Sequence, residues 1–280
     1  MKQIVENFFN KKIIRTDSLT GGCINDAYKI TLENNEVYFI KYNAKLSVNM
    51  FIKEANGLKE LKKSNTIKVP EVVFVEKNLI ILEYIPTSNS EKNFYKTFGE
   101  QFAQLHKYTS DKYGFYEDNF IGSTPQINNQ QYLVWSEFYY NERLLYQFRL
   151  CEKNGYADSE LRNAFKNIEK KYINILEIND SEKPSLLHGD LWSGNYLCFN
   201  GKPCLIDPAV YYGNREADLA MTKLFGGFTS DFYSSYNEIY PLLKDYHYRE
   251  NIYKLYHILN HLNLFGMGYY RQAISLMLSY

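Results

Sequence analysis

Hydrophobic positions change their period along this chain of 280 residues, and the change divides it. Near the N-terminus Ile4, Phe8 and Phe9 share one side of a short helical pattern over residues 1–14. Two β-type runs follow, Ala27–Leu32 and Val37–Tyr42; with Asn34-Asn35 between them they predict an antiparallel hairpin. Helical spacing returns over 48–61, where Val48, Phe51, Ile52, Ala55, Leu58 and Leu61 recur. After Pro70, "VVFV" and "LIILEYI" read as two more strands. From residue 86 helical periods dominate. Phe94, Phe98, Phe102 and Leu105 form a buried stripe, entered by a capping box from Ser88 to Glu91. An aromatic-rich helix is expected over 130–150, and another over 159–177 with Leu161, Phe165, Ile168, Tyr172 and Ile175 on one face. The C-terminal stretch reads as further helices, broken near Gly226-Gly227 and Pro241. The pattern predicts an α+β architecture in two lobes. Residues 1–85 form a β-rich N-lobe, a small antiparallel sheet with one packed helix, and residues 86–280 a larger, mainly helical C-lobe. A cleft between such lobes is a common ligand site.

One segment concentrates polar groups behind an apolar run: "LLHGDLWSGNYLCFNGKPCLIDPAVYYG", residues 186–213. Asn200-Gly201 is a strong short hairpin signal, because both central positions of a type I′ turn need positive φ. With those two as the loop, Phe199 faces Lys202, Leu197 faces Cys204 and Asn195 faces Ile206. Asn195 and Asp207 then meet at one end of a ribbon, and Asp190 lies in the loop feeding that end. Asn and Asp offer hard oxygen ligands suited to Mg²⁺, which usually shares its sphere with substrate phosphates. A third oxygen-bearing group, the Asp190 carboxylate, is placed to take a proton from a hydroxyl nucleophile. Kinase-type phosphoryl transfer uses such a set, with Asn five residues after the catalytic Asp, the spacing of Asp190 and Asn195. The bland alternative is a turn with satisfied polar groups; the added hairpin and Asp207 weigh against it.

Other residues gain meaning from that segment. Alternation puts Val37, Phe39 and Lys41 on one strand face. Lys41 either snorkels at a strand edge or, with Glu54 on the next helix, resembles the kinase ion pair that aims lysine at ATP phosphates. Gly21-Gly22 ahead of that hairpin matches no Walker A motif, but its backbone N–H groups are placed to cover phosphates. Glu83-Tyr84-Ile85 joins the two expected lobes, and in a kinase-like fold its backbone would bond adenine. His188 is read as a brace of the loop and Asp218, on a following helix, as another. Trp192 is either core or a stacking surface for a substrate ring or sugar face. Arg215 and Glu216 are open to an exposed ion pair. Cys23 is either a buried thiol or one accessible to oxidants in a glycine loop.

Composition narrows the class further. Lys+Arg and Asp+Glu both number 32, and this balance argues against nucleic-acid binding. No apolar run is long enough for a membrane span, and the N-terminus has no signal-peptide pattern, so a cytoplasmic location is expected. Cys23, Cys151, Cys198 and Cys204 lack zinc or CxxC spacing, consistent with reduced thiols. Nothing in the pattern sets an oligomeric state.

Taken together, "HGDLWSGN" and "IDPAVYYGNREADLAMTKLFGGF" resemble the fructosamine kinase (ketosamine 3-kinase) family, within the aminoglycoside-phosphotransferase-like branch of the protein-kinase fold. "GGCIND", "FIKYN", "MFIKEANGL", "GFYEDNFIGSTPQIN" and "WSEFYYNERLLYQ" extend the resemblance along essentially the whole chain. It implies ATP-dependent phosphorylation of the 3-hydroxyl of ketoamines (fructosamine, ribulosamine or erythrulosamine adducts of small amines or protein lysines), a deglycation repair, with Mg²⁺ as metal. By position it implies Asp190 as base, Asn195 and Asp207 as metal ligands, Lys41 with Glu54 and Gly21-Gly22 at the phosphates, and residues 83–85 at adenine. The chain departs from the family pattern at Thr20, at Asn25-Asp26, and at Asn214, where histidine is frequent. Two rivals remain at this stage: a kinase for an aminoglycoside, choline or homoserine-like alcohol, and a silent nucleotide-binding regulator.

Overall fold

The computed structural model describes residues 1–19, 25–46 and 48–280. The N-terminal helix is shorter than its apolar pattern suggested. α1 (Lys2–Phe9) stops at Asn10, which takes a left-handed φ of 50°. The chain then enters an unexpected strand, β1 (Ile13–Leu19), most of which is half-buried or exposed. It pairs with β2 (Asp26–Leu32), and β2 pairs with β3 (Val37–Tyr42). After α2 (Met50–Lys63) come β4 (Val72–Glu76) and β5 (Leu79–Glu83). The five strands form one antiparallel sheet in the order β1-β2-β3-β5-β4.

Period-two alternation divides this sheet between two cores. Ile30, Ile40, Leu79 and Ile81 pack under α1 through Val5, with Phe9 stacked 4.5 Å from Tyr38. Ile80 and Leu82 face the other way, into a core with Phe51, Ala55 and Leu58 of α2. Lys41 alternates with Ile40 and so lies on the α2 side.

Beyond the sheet, helices enclose three short strand pairs. α3 (Phe94–His106) is followed by the hairpin of β6 (Asn119–Ile121) and β7 (Thr124–Gln126). The aromatic-rich helix is one run in three pieces: α4 (Trp135–Tyr139), a π-helical turn (Tyr140–Leu145) and α5 (Tyr146–Lys153). The wider turn carries the buried Arg143, whose guanidinium lies 4.1 Å from the Tyr211 ring centre and donates to the Ile127 carbonyl. α6 (Ser159–Leu176) begins at Asp158, which caps the Leu161 N–H. β8 (Ser185–Leu187) pairs with β11 (Tyr211–Gly213), and between them β9 (Tyr196–Phe199) pairs with β10 (Lys202–Leu205). α7 (Glu216–Leu224), α8 (Ser230–Ile239), α9 (Tyr246–Phe265) and α10 (Tyr270–Met277) complete the chain.

Two expectations fail here. α3 starts at Phe94 without a side-chain cap, so Ser88 and Glu91 form no capping box. Ser88 instead ties the connecting segment to the β9–β10 turn: its N–H donates to the Cys198 carbonyl, and its Oγ accepts the Gly201 N–H at 3.0 Å. Arg215 and Glu216 are 1% and 3% exposed, with separate partners: Arg215 bonds Glu182 and Glu216 bonds Arg249.

Candidate active site

The β9–β10 hairpin folds in the register its turn residues demand. Asn200 and Gly201 have φ of 49° and 77°, Phe199 faces Lys202, and Leu197 faces Cys204. At its open end the Ile206 N–H donates to the Asn195 carbonyl at 3.1 Å. Asp207 follows at φ 55°, a left-handed conformation that Asp tolerates better than bulkier residues, and Pro208 then turns the chain away.

The loop before the hairpin leaves β8, which is buried throughout. Gly189 has φ of 83°, and a Cβ there would stand 2.0 Å from the Ala209 carbonyl oxygen, so only glycine fits. Asp218, from the first turn of α7, accepts the backbone N–H groups of His188 (2.7 Å) and Gly189 (2.8 Å) and also meets His106 Nε2 at 3.3 Å. Burial opposes its charge, but the His106 contact, His188 and the Gly189 N–H hold it below the ordinary carboxylate value. His188 donates from Nε2 to the Ile206 carbonyl and accepts the Asp190 N–H at Nδ1. Burial lowers its pKa, so the ring is a neutral brace with both nitrogens engaged. His188 and Asp218 thus both bond to the backbone around Asp190.

Asp190 is half-buried. Burial first, then the nearby Asp207 and Asp218 carboxylates, push its pKa well above the ordinary value. Asn195 donates Nδ2 to the Asp190 backbone carbonyl at 2.8 Å and, at 3.3 Å, to its carboxylate. With its N–H₂ group so engaged, the amide oxygen is what Asn195 has left to offer. Lys41 sits between two carboxylates, Glu54 at 2.8 Å and Asp207 at 2.6 Å. Burial alone would lower its pKa, but those two charges more than reverse it, so Lys41 is protonated.

Lys41, Glu54, Asp190, Trp192, Asn195 and Asp207 all border one cavity of about 700 Å³, as do Glu83, Tyr84 and Ile85. The Glu83 side chain turns to Lys68 and the Glu71 N–H, and Lys29 lies over the Tyr84 ring. Trp192 is 39% exposed, edge-on to Phe225, and packs so closely over Gly194 that a Cβ there would meet its ring. Gly21, Gly22 and Cys23 lie outside the described residues. Among the described residues no cluster of three or more His, Cys, Asp or Glu could hold a metal. The donors present, one carboxylate and one amide oxygen, suit a hard divalent ion that takes its remaining ligands from water and phosphate. Sequence reasoning missed His261 and Phe265, which also line the cavity, because the C-terminal stretch reads only as helices and carries no motif that marks them.

Comparisons with known proteins agree with this architecture. The family model described as fructosamine kinase matches residues 1–280. A probable ketoamine kinase of Vibrio parahaemolyticus is 42% identical, covering 97% of this chain and 95% of that one. The chloroplastic protein-ribulosamine 3-kinase of Oryza sativa subsp. japonica is 40% identical, covering 96% of this chain and 79% of its own. The crystal structure of a candidate fructosamine-3-kinase from Thermobifida fusca superposes with a TM-score of 0.90 at 27% identity, covering 100% of this chain and 97% of the other.

Proposed function

The chain belongs to the fructosamine kinase family, a family of kinases that transfer phosphate to a hydroxyl group, and from that premise we propose that it moves the γ-phosphate of ATP to the 3-hydroxyl of ketosamines. The observation that carries the reading is Lys41 held between Glu54 and Asp207 in the same cavity as the Asp190–Asn195 pair. This is the division of labour phosphoryl transfer needs: a fixed cation for phosphates and a separate carboxylate for the acceptor.

In this reading Asp190 orients the substrate hydroxyl and accepts its proton at the carboxylate as transfer proceeds; a carboxyl held above its ordinary pKa is matched to that task. Lys41, fixed by Glu54, pairs with nucleotide phosphates, and the Gly21-Gly22 backbone covers them. Glu83, Tyr84 and Ile85 border the adenine. Asn195 and Asp207 would hold Mg²⁺, which when bound neutralises charge on the phosphates. Trp192 offers a ring face to the sugar, while His188 and Asp218 keep the Asp190 loop in place. The nucleotide-binding lobe is taken to end at residue 85 and the catalytic lobe to span 86–280; the bond from Ser88 to the β9–β10 turn supports a hinge at that point. Both free ketoamines and glycated protein lysines are proposed acceptors. Among the described residues no helix is long and apolar enough to cross a membrane, and we place the enzyme in the cytoplasm.

The test is phosphate transfer from ATP to ketoamines that differ in sugar and amine, followed by ATP consumption and by the position of phosphate on the product. Transfer to the 3-hydroxyl, lost in Asp190→Asn, is expected. Transfer only to aminoglycosides or choline, or nucleotide binding without transfer to any acceptor, would overturn the reading.

A further inference from the structure

α2 carries Glu54, and the orientation of that helix decides where Lys41 points. It also meets a segment of the helical part of the chain, residues 114–128. This segment is closed on itself. Gly114 has φ of 107°, with the Asn128 carbonyl pressed against it, and Asp118 accepts the N–H groups of Asn128 (2.7 Å) and Asn129 (3.0 Å). Inside, Asn119 Oδ1 accepts from both Gln126 and Asn128.

The closed segment holds two things at once. On one side Asn119 donates to the Val210 carbonyl at 2.7 Å and Gln126 to the Ala209 carbonyl at 3.0 Å, so it grips the backbone just after Asp207. On the other side Glu117 reaches α2, accepting from Lys53 at 2.6 Å and Asn56 at 2.8 Å, the residues flanking Glu54. The stretch after Asp207 also touches the helix directly. Tyr212 donates to Glu60 at 2.8 Å, and Gly57 lies so near Val210 that a Cβ would come to 3.2 Å. Glu54 and Asp207, the two partners of Lys41, are thus tied to a common block; Lys53 and Asn119 of that block also border the cavity, whereas Glu117 and Asn56 do not.

We propose that Glu117 is a positioning residue for nucleotide use: by clamping Lys53 and Asn56 it fixes the helix of Glu54 against the strand that follows Asp207, so that Lys41 is preset for phosphates. The inference rests on the reading of the cleft as a nucleotide site. Glu117 touches no reacting group, and its effect passes through α2 to Lys41. Preset geometry of this kind lowers the reorganisation needed when the substrate binds. Asp190 hangs from Asp218 through the His188 and Gly189 N–H groups and has no bond to α2, so acceptor affinity depends on the Glu117 clamp far less than nucleotide affinity does.

The experiment compares wild type, Glu117→Ala, Glu117→Gln and Asn56→Ala, which lies outside the cavity lining, for steady-state kinetics, for equilibrium binding of Mg-ATP by calorimetry, and for hydrogen exchange of α2. Glu117→Ala is expected to weaken nucleotide binding and raise KM for ATP about tenfold while KM for the ketoamine stays within about twofold. Exchange across Met50–Lys63 quickens. Glu117→Gln, whose amide oxygen still accepts a hydrogen bond, recovers part of the loss, and Asn56→Ala moves in the same direction as Glu117→Ala. Unchanged nucleotide affinity in both Glu117→Ala and Asn56→Ala, or a parallel loss for both substrates that follows thermal stability, overturns the proposal. A wild-type protein that binds no Mg-ATP overturns the nucleotide reading itself and this inference with it.

Discussion

Asp218→Asn is the most informative single substitution, because it preserves shape and changes only what the side chain accepts. The wild-type carboxylate takes two backbone N–H groups, from His188 and Gly189, on different oxygens, and a third contact from His106. An asparagine keeps one acceptor oxygen and turns an N–H₂ group toward donors. At least one buried N–H then lacks an acceptor, which costs about 1–3 kcal/mol, and the surviving bond loses the strength of a charged acceptor, roughly 1 kcal/mol more. A loss of about 2–4 kcal/mol is expected, and with an m-value of roughly 3 kcal/mol/M the urea midpoint falls by about 1 M. Since those N–H groups sit immediately before Asp190, the loop relaxes as well, and a displacement of about 1 Å is enough to lower kcat about 10²-fold. KM for ATP stays near the wild-type value, because Lys41 has no bond to this network. The pH dependence has a definite sign. A carboxylate held below its ordinary pKa contributes stability above about pH 3.9, and that contribution is lost as pH falls through the lower folded value. The gap between wild type and variant is therefore flat from neutral pH down to about pH 5 and narrows below about pH 4. Urea unfolding with initial rates at saturating ATP and ketoamine reads both quantities. A folded variant with kcat within about twofold of wild type would refute the claim that Asp218 holds the loop.

Asp190→Asn is expected to stabilise the unliganded protein while abolishing turnover. Asp190 has a raised pKa, so its ionised form weakens the fold as pH rises above about 3.9, and Asn removes that penalty; a lower urea midpoint than wild type at pH 7 would contradict this, as would an advantage that persists unchanged near pH 4. Gly189→Ala combines a left-handed φ with a collision against the Ala209 carbonyl and is expected to cost about 3 kcal/mol or more, whereas Gly155→Ala, at φ of 78° in open space, costs about 1–2 kcal/mol; equal thermal shifts in the two variants would show that the collision is absent. Nucleotide affinity is expected to collapse when divalent ions are chelated, because the cavity's lysines are already matched by carboxylates, Lys41 by Glu54 and Asp207 and Lys53 by Glu117, and Asp190 adds a further acid; calorimetry with and without EDTA decides it.

The parts of the site that were legible in the sequence are those fixed by short-range rules. Asn200-Gly201 sets a two-residue turn, the turn sets the register, and the register brings Asn195 to Ile206 and Asp207. Strand alternation placed Lys41 opposite Ile40, hence on the side of α2. What failed has equally local causes. β1 lies at a sheet edge and is mostly exposed, so it shows no apolar alternation to read. β6, β7 and β11 have three residues each, too few for a period-two alternation to repeat. Ser88 and Glu91 have the spacing of a capping box, but the turn at Gly201 competes for Ser88 and wins. Arg215 and Glu216 are adjacent and of opposite charge, yet each is matched by a distant partner, and no local rule foresees a pairing across 33 positions.

The same distinction explains how the cavity is assembled. Asp190, Asn195, Asp207 and Asp218 come from one stretch of chain, and their mutual placement depends on a turn, a glycine and backbone hydrogen bonds. Lys41 is 166 positions from Asp207, and no turn can bring it there. Its arrival depends on α2 packing against the strand after Asp207, where Gly57 leaves room for Val210 and Tyr212 reaches Glu60. The Asp190 half of the cavity is therefore written locally and the Lys41 half through tertiary contacts. A substitution on the outer face of α2 should then act on nucleotide use alone, whereas one near Asp218 should act on the transfer step.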